Sequence, residues 1–353
     1  MRHLLQPHPD IEFLARVRAA LDHWEAEAPP TPTSSVLGGG AIEAAEAEFG
    51  RRHGGRRALL LPSASYAVRI GLMVLGVEPG SEVICPVIDW SAGFAAIASL
   101  GAVPVTARVH PATLTLDPLA ARQMLTDRTR AVLACHLHGV CADIPALRQE
   151  LPGVPILEDA AQAFGCSLDG RPAGTHGDVA VLSLGPGKQI DAGEGGVLLC
   201  GDGGRYDAAV GLACHPLRQL LSGAPEPGRP VLVMRPHPLA AIMALHQLTS
   251  WNAESPLAAR AATLRRLNTA RGLRVVGADS RRTSSQPYVP VVLEAGRVAP
   301  PRGLRWSPSG AQVLPHPAPS VRRQAEELLA RVRIAACAAP SAKVLRDHRK
   351  AEG

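Results

Sequence analysis

The chain has 353 residues, enough for one large domain with a smaller one appended, or for two domains. Hydrophobic residues make up 46% and aromatic residues only 3%, so the core must be aliphatic and alanine-rich, and a charged fraction of 19% argues against a disordered chain. The net charge of +6 is spread over arginine pairs such as Arg51–Arg52 and Arg265–Arg266, none in an aromatic-studded run, so no nucleic-acid partner is expected.

The opening segment MRHLLQPHPDIEF has no apolar signal-like region, and no stretch is long and apolar enough to span a bilayer; a soluble cytoplasmic protein without a membrane partner is expected. Ile11, Leu14, Val17 and Leu21 carry helical spacing, which predicts a helix over 9–26, and APPTPTSSVLGGG then breaks it. Strand-like and helix-like runs alternate from residue 58. ALLLPS, EVICPV, VPVTARV, AVLACHL and VPILEDA read as strands. SYAVRIGLMVLG, SAGFAAIASLG, a segment around 116–125 and IPALRQEL read as helices between them. Such alternation predicts βαβ units and a largely parallel sheet. DVAVLSLG and GGVLLCG follow with no room for a helix between them, so the sheet is expected to be mixed there. The seven cysteines form no CxxC pair, and Cys85, Cys135 and Cys200 sit within strand-like runs as small buried hydrophobes; a reducing compartment and no metal site are expected.

Beyond residue 250 the texture becomes rich in Pro and Arg. SPLAARAATLRRLNTARGL reads as a connecting helix, YVPVVLEA as a strand and SVRRQAEELLARVRIAA as a helix. The expected organisation is an N-terminal helix and linker over 1–34, a large domain over 35–250 and a small C-terminal domain over 251–353.

Ligands of open α/β sheets bind beyond the carboxyl ends of the strands. Ser63, Pro86, His136, Asp159 and Ser183 end five apolar runs and are expected to converge there. Ser63-Ala64-Ser65 lies between a strand and a helix, where free N–H groups and hydroxyls suit a phosphate, though an ordinary serine N-cap explains the same pattern. Asp159 follows a strand and precedes a predicted short helix; it is either a cap or the carboxylate that keeps a pyridine nitrogen protonated. Trp90 either covers a ring or fills the core.

Only Lys188, Lys343 and Lys350 of the 37 cations are lysines. Lys188 sits among glycines in SLGPGKQIDAGEGG, where a guanidinium cannot do what an amine of lowered pKa can: form a Schiff base. The segment is not a Walker A loop, because Leu182 occupies the position of the first glycine.

Together these segments resemble the pyridoxal phosphate (PLP)-dependent sugar aminotransferases of the DegT/DnrJ/StrS family. The family pattern S-F-x-P-T-K-x-L-x-x-G-E-G-G stands without a gap as Ser183 to Gly196, and E-D-A-A-Q-A-x-G as Glu158 to Gly165. S-G-T-A-A-L becomes Ser63 to Val68, and V-H-L-Y-G corresponds to the segment ending His136-Leu137-His138-Gly139, with the tyrosine replaced. GRPAGTHGDVAVLS and GGGAIEAAEAEF also resemble family segments, and the likeness is dense over 38–202 and thin beyond. The resemblance implies an α/β fold of type I: a mixed, mostly parallel central sheet flanked by helices, with a small C-terminal α/β domain. It implies that Lys188 bonds the cofactor, Asp159 pairs with the ring nitrogen and Gln162 lies near the ring. Ala64, Ser65 and Ser183 would hold the phosphate and Trp90 would stack, with His136 and Arg235 as substrate contacts. The implied reaction moves an amine from L-glutamate or L-glutamine to a nucleotide-linked keto sugar or a keto cyclitol, in a homodimer with shared active sites. The family's N-Y-R-M segment, which crosses to the neighbouring subunit, aligns with Val233-Met234-Arg235-Pro236, so the asparagine is Val233. The apolar run PLAAIMALHQL that follows is expected at the dimer interface. Two rivals are a non-catalytic homologue that keeps the fold and another PLP enzyme acting on a different small substrate.

Overall fold

The computed structural model describes residues 10–27, 32–225, 232–294, 299–301, 304–316 and 318–337. Residues 1–9 and 28–31 of the opening and its linker, and Lys343 and Lys350, lie outside the described residues. The elements in chain order are α1 (Asp10–Glu27), α2 (Ala41–Arg52), β1 (Arg57–Leu61), α3 (Ala64–Val74), β2 (Glu82–Pro86), α4 (Ser91–Ala98), β3 (Val103–Ala107), α5 (Pro118–Gln123), β4 (Thr129–Cys135), α6 (Ile144–Glu150), β5 (Ile156–Asp159), β6 (Val179–Ser183), β7 (Gly196–Cys200), α7 (Gly203–Ala213), α8 (Pro216–Ser222) and α9 (Pro238–Ser250). The C-terminal unit adds α10 (Glu254–Leu267), β8 (Leu273–Val275), β9 (Val289–Leu293), β10 (Leu304–Pro308), α11 (Pro319–Arg331) and β11 (Val332–Cys337).

Seven strands form one sheet in the order β1-β7-β6-β5-β4-β2-β3. All neighbours are parallel except the two pairs that involve β7, so the sheet is mixed where the sequence leaves no room for a crossover helix. Side chains alternate strictly between the faces. Leu59, Leu61, Val179, Val181 and Leu198 join the core under α3 and α7, while Leu60, Ala180, Leu182, Val197 and Leu199 join the core under α1, α2 and α9. Each fully buried leucine here contributes about 1.5–3 kcal/mol relative to exposure. Cys85, Cys135 and Cys200 are buried free thiols, as their runs imply.

The run PLAAIMALHQL, expected at a dimer interface, forms helix α9. Helix α9 packs against α1 and α2 of its own chain, and Ala241, Met243, Ala244 and Leu248 are buried there. Its apolar character serves the core. The first helix likewise joins the large unit rather than standing apart: Ala20 is buried, and Phe13, Val17 and Trp24 pack on the same cluster.

In the C-terminal unit an antiparallel sheet runs β8-β9-β11-β10. The expected helix over SVRRQAEELLARVRIAA ends at Arg331, and the rest of it is β11. Strand β11 is central, pairing with both β9 and β10; Val332 and Ala335 are buried, and paired backbone on both sides outweighs helical continuation. The units interlock. Arg282–Thr283 pairs with Ser167–Leu168, and Gln312–Val313 pairs with Ile88–Asp89 beside Trp90.

Candidate active site

The register brings the strand ends together. Cys135 lies opposite Asp159, Asp159 opposite Val181, and Gly196 opposite both Ser183 and Leu61. Trp90, Gln162, Ser183 and Lys188 line one cavity of about 480 Å³. Its far wall comes from the C-terminal unit, through Gln286, Tyr288, Arg305 and Ser307.

Lys188 occupies the loop between β6 and β7, and Asp191 fastens that loop. Asp191 Oδ2 accepts the Gly187 N–H at 3.1 Å and Oδ1 accepts the Gly193 N–H at 3.0 Å. Arg16 of α1 pairs with the same carboxylate at 3.3 Å, and Gln247 of α9 bonds both the N–H and the C=O of Asp191. Gly187 and Gly193 have φ of 78° and 81°, a region that glycine enters at little cost. The lysine therefore projects from a held loop.

Burial lowers the Lys188 amine below its ordinary value, and the nearby Asp159 carboxylate opposes that shift. Burial raises Asp159 in turn, against the Ala161 N–H, Lys188 and His136. The short helix expected after Asp159 is absent. A turn follows instead, in which Asp159 Oδ1 accepts the Ala161 N–H at 3.0 Å, the local bond that aspartate favours.

His136 does not join the cavity. It is 1% exposed; its Nδ1 accepts the Ala142 N–H at 2.9 Å and its Nε2 donates to Glu158 at 2.9 Å. Both ring nitrogens are thus occupied, and the expected substrate contact has no free group to offer. Glu158 also accepts the N–H groups of Gly174 at 2.8 Å and His176 at 2.6 Å, and that of Gly177. Arg235 is exposed and lines a separate cavity with Phe13, Leu61, Glu194 and Met243, apart from Lys188 within this chain. Val233 is 43% exposed beside Leu232 at 73%.

Ala64 and Ser65 open helix α3, capped by Ser63, whose Oγ accepts the Tyr66 N–H at 3.4 Å. The N–H groups of Ala64 and Ser65 make no hydrogen bond among the described residues. A Cβ on Gly196 would meet Ala64 N at 2.4 Å, so only glycine lets β7 approach this helix end and bring Ser183, across from Gly196, beside it. Free N–H donors at a helix start, two hydroxyls, an amine of lowered pKa and a buried carboxylate are the donor set that a phosphorylated pyridine aldehyde requires, and they fit PLP.

Three features went unread in the sequence. Asp89, in VIDW, is 3% exposed; burial and the Asp159 carboxylate push it up to about 7, although Oδ1 accepts the Trp90 N–H at 2.7 Å. His138 and Arg305 both line the cavity. Asp89 had a signal in a lone carboxylate within an apolar run; Arg305 had none among so many arginines.

Residues 31–276 match the model of the DegT/DnrJ/EryC1/StrS aminotransferase family. The chain belongs to this family. Its relatives include 3-amino-5-hydroxybenzoate synthase of Amycolatopsis mediterranei, 38% identical over 47% of this chain and 44% of that protein. Another is dTDP-3-amino-3,4,6-trideoxy-alpha-D-glucose transaminase of Streptomyces venezuelae, 38% identical over 55% of this chain and 53% of that protein. L-glutamine:scyllo-inosose aminotransferase of Streptomyces griseus is 38% identical over 45% of this chain and 37% of that protein. The chain thus matches about half or less of the length of these curated relatives. Among solved structures, 3-amino-5-hydroxybenzoic acid synthase superposes with a TM-score of 0.71 at 25% identity, covering 92% of this chain and 90% of that one. DesV of S. venezuelae gives 0.71 at 28% identity over the same shares. These superpositions give the chain the type I fold, α/β with a mostly parallel central sheet flanked by helices.

Proposed function

We propose that the chain is a PLP-dependent aminotransferase that takes an amine from L-glutamine or L-glutamate and delivers it to a keto cyclitol or a nucleotide-linked keto sugar. The observation that carries this reading is that Lys188, an amine lowered by burial, lines one cavity with Gln162 and Ser183 and lies within charge reach of Asp159. The names of the S. griseus and S. venezuelae relatives support glutamine as donor and both acceptor classes.

The Ala64 and Ser65 N–H groups, the Ser65 hydroxyl and Ser183 would hold the phosphate, and Trp90 and Gln162 would flank the ring. When bound, the cofactor supplies an electron sink for the charge left by the departing α-proton. Asp159 keeps a proton on the ring nitrogen, which sustains that sink. Lys188 Nζ, free as an amine, takes the α-proton of the donor; in the second half-reaction it returns a proton to the carbon that receives the amine. The held loop limits where Nζ can travel, and the C-terminal wall excludes water from the proton it carries.

The protein acts in the cytoplasm as a homodimer with shared sites. Exposed Leu232 and Val233 on the segment before Arg235 support that assembly, since such apolar side chains suit a partner surface. The test is to add L-glutamine to the purified yellow holoprotein and follow its visible band. Bleaching by L-glutamine and recovery with scyllo-inosose is the expected result; a band that no amino donor bleaches would favour a homologue that keeps the fold without turnover.

A further inference from the structure

Strand β10 closes the cavity from the C-terminal unit, and its two faces are divided. Leu304 of β10 and Ala335 of the neighbouring β11 join the hydrophobic cluster of that unit. Side chains alternate along a strand, so Arg305 and Ser307, with their register partners Ala336 and Ile334, face the other way. All four line the cavity that holds Lys188. The pleat of the sheet thus aims Arg305 at the cavity.

Arg305 is exposed and has no ion pair or hydrogen bond among the described residues, and Ser307 has no hydrogen bond among them. Other polar groups at this junction are engaged. Gln286 Nε2 donates to the Gln162 carbonyl at 2.6 Å, and Gln189 Nε2 donates to the Ser285 carbonyl at 2.6 Å. Arginines elsewhere in the chain have carboxylate partners, such as Arg218 with Glu46 at 2.6 Å and Arg281 with Asp169 at 2.7 Å. Among the described residues no carboxylate lines the cavity, while Lys188 and Arg305 both do. Burial, and then Lys188, lower the neighbouring His138 to about 4, so it adds no charge near neutral pH. A cavity lined by cations alone favours an anionic ligand.

We propose that Arg305, aided by the Ser307 hydroxyl, anchors the carboxylate of the amino donor. This rests on the aminotransferase reading above, in which the cofactor's phosphate has its own donors on the large unit and leaves Arg305 for a second anion. An amino donor carries a carboxylate on the carbon that must meet Lys188, whereas a keto cyclitol carries no charge. The guanidinium fork matches two carboxylate oxygens at once, and a hydroxyl can donate a further bond. The same fork would also suit the diphosphate of a nucleotide-linked acceptor, so the experiment separates the two sources.

The test compares the holoenzyme with its Arg305→Met and Arg305→Lys variants. The donor half-reaction is followed by the visible band with L-glutamine, whose single carboxylate is on the α-carbon, and with L-glutamine α-amide, which lacks that charge. Arg305→Met should lower kcat/KM for L-glutamine about 10- to 100-fold, the effect of losing hydrogen bonds to a charged group. Wild type should lose a similar factor on the α-amide, and Arg305→Met should lose little more on it, because both changes remove one contact. Arg305→Lys keeps the charge without the fork and should recover part of the loss. The acceptor half-reaction, started from protein loaded with pyridoxamine phosphate, should stay within about twofold for scyllo-inosose and a dTDP-keto sugar alike. Melting curves identify a variant that has lost its fold; Arg305→Lys on the two donors then carries the test. Unchanged kcat/KM for L-glutamine in Arg305→Met, or equal losses on L-glutamine and its α-amide, would overturn the proposal. A loss confined to the dTDP-keto sugar would also overturn it, by assigning Arg305 to the acceptor's diphosphate. Failure of wild type to react with any amino donor would instead count against the aminotransferase reading.

Discussion

His136 Nε2 donates to Glu158 at 2.9 Å, with both side chains sealed from solvent and the next residue, Asp159, turned toward Lys188. One strand end thus does two things. Glu158 ties down the loop through Gly174, His176 and Gly177, while the Asp159 carboxylate acts on the charge of Lys188.

Burial alone would raise Glu158, but its bond to His136, with those from the Gly177 and Gly174 N–H groups, overcomes it and holds the carboxyl at about 2. A depressed carboxyl contributes stability that is present above its ordinary range and lost as pH falls through about 2. The expected contribution is about 3 kcal/mol. Glu158→Gln should destabilise the protein by about 2–4 kcal/mol at pH 7, and the gap to wild type should narrow as pH falls from about 4 toward 2. Denaturant melts across that range measure it.

Asp89 has the opposite sign. Its folded value near 7 lies above its ordinary value of 3.8, so the buried carboxyl weakens the fold progressively as pH rises from about 4 to about 7. The full penalty above pH 7 is up to about 4 kcal/mol. Asp89→Asn, whose amide oxygen can still accept the Trp90 N–H, should melt higher than wild type at pH 8 and close to it at pH 4. Equal melting shifts at both pH values would contradict the assignment.

Asp191→Ala should loosen the Lys188 loop. Two N–H groups lose their acceptor and Arg16 loses its ion pair, at a cost of about 1–3 kcal/mol. The rate of the donor half-reaction should fall with it, and Asp191→Asn, which keeps an acceptor oxygen, should recover part of both. A variant that loses stability without slowing the half-reaction would confine Asp191 to the fold.

The resemblance aligns Val233 with the asparagine of the N-Y-R-M segment, which in a shared-site dimer would reach the partner's phosphate. Val233→Asn should slow cofactor loss on dialysis, as an added hydrogen bond to a charged group is worth about 1.5–3 kcal/mol. Mass in solution, measured alongside, should report a dimer for both proteins. An unchanged loss rate would rule out the phosphate contact.

The sequence made the alternation of strands and helices readable because apolar runs and glycine stops are local signals, and the strand ends followed from topology. Non-local choices were not readable. Strand β11 reads as a helical tail until β9 and β10 lie on both sides of it. That α1 and α2 would cover much of the apolar surface of helix α9 is likewise a non-local choice. Motif matching placed His136 at the substrate because it ends a strand, whereas the protonation pattern set by Ala142 and Glu158 is a tertiary fact. That Lys188, Gln162, Ser183 and Trp90 meet at one cavity was legible from strand ends and motifs of fixed spacing, whereas the settings of Asp89, His138 and Arg305 depend on which side chains the tertiary fold brings together.

The central claim is that Lys188 bonds the cofactor and moves the proton. It is tested most directly by comparing wild type with Lys188→Arg after saturation with PLP, by visible absorbance and by mass after borohydride reduction. The expected result is a visible band and a reduced adduct on the Lys188 peptide in wild type only, with Lys188→Arg folded but inert toward L-glutamine, because the charge survives and the nucleophilic amine does not. A Lys188→Arg protein that keeps the band, the adduct and the half-reaction would contradict it.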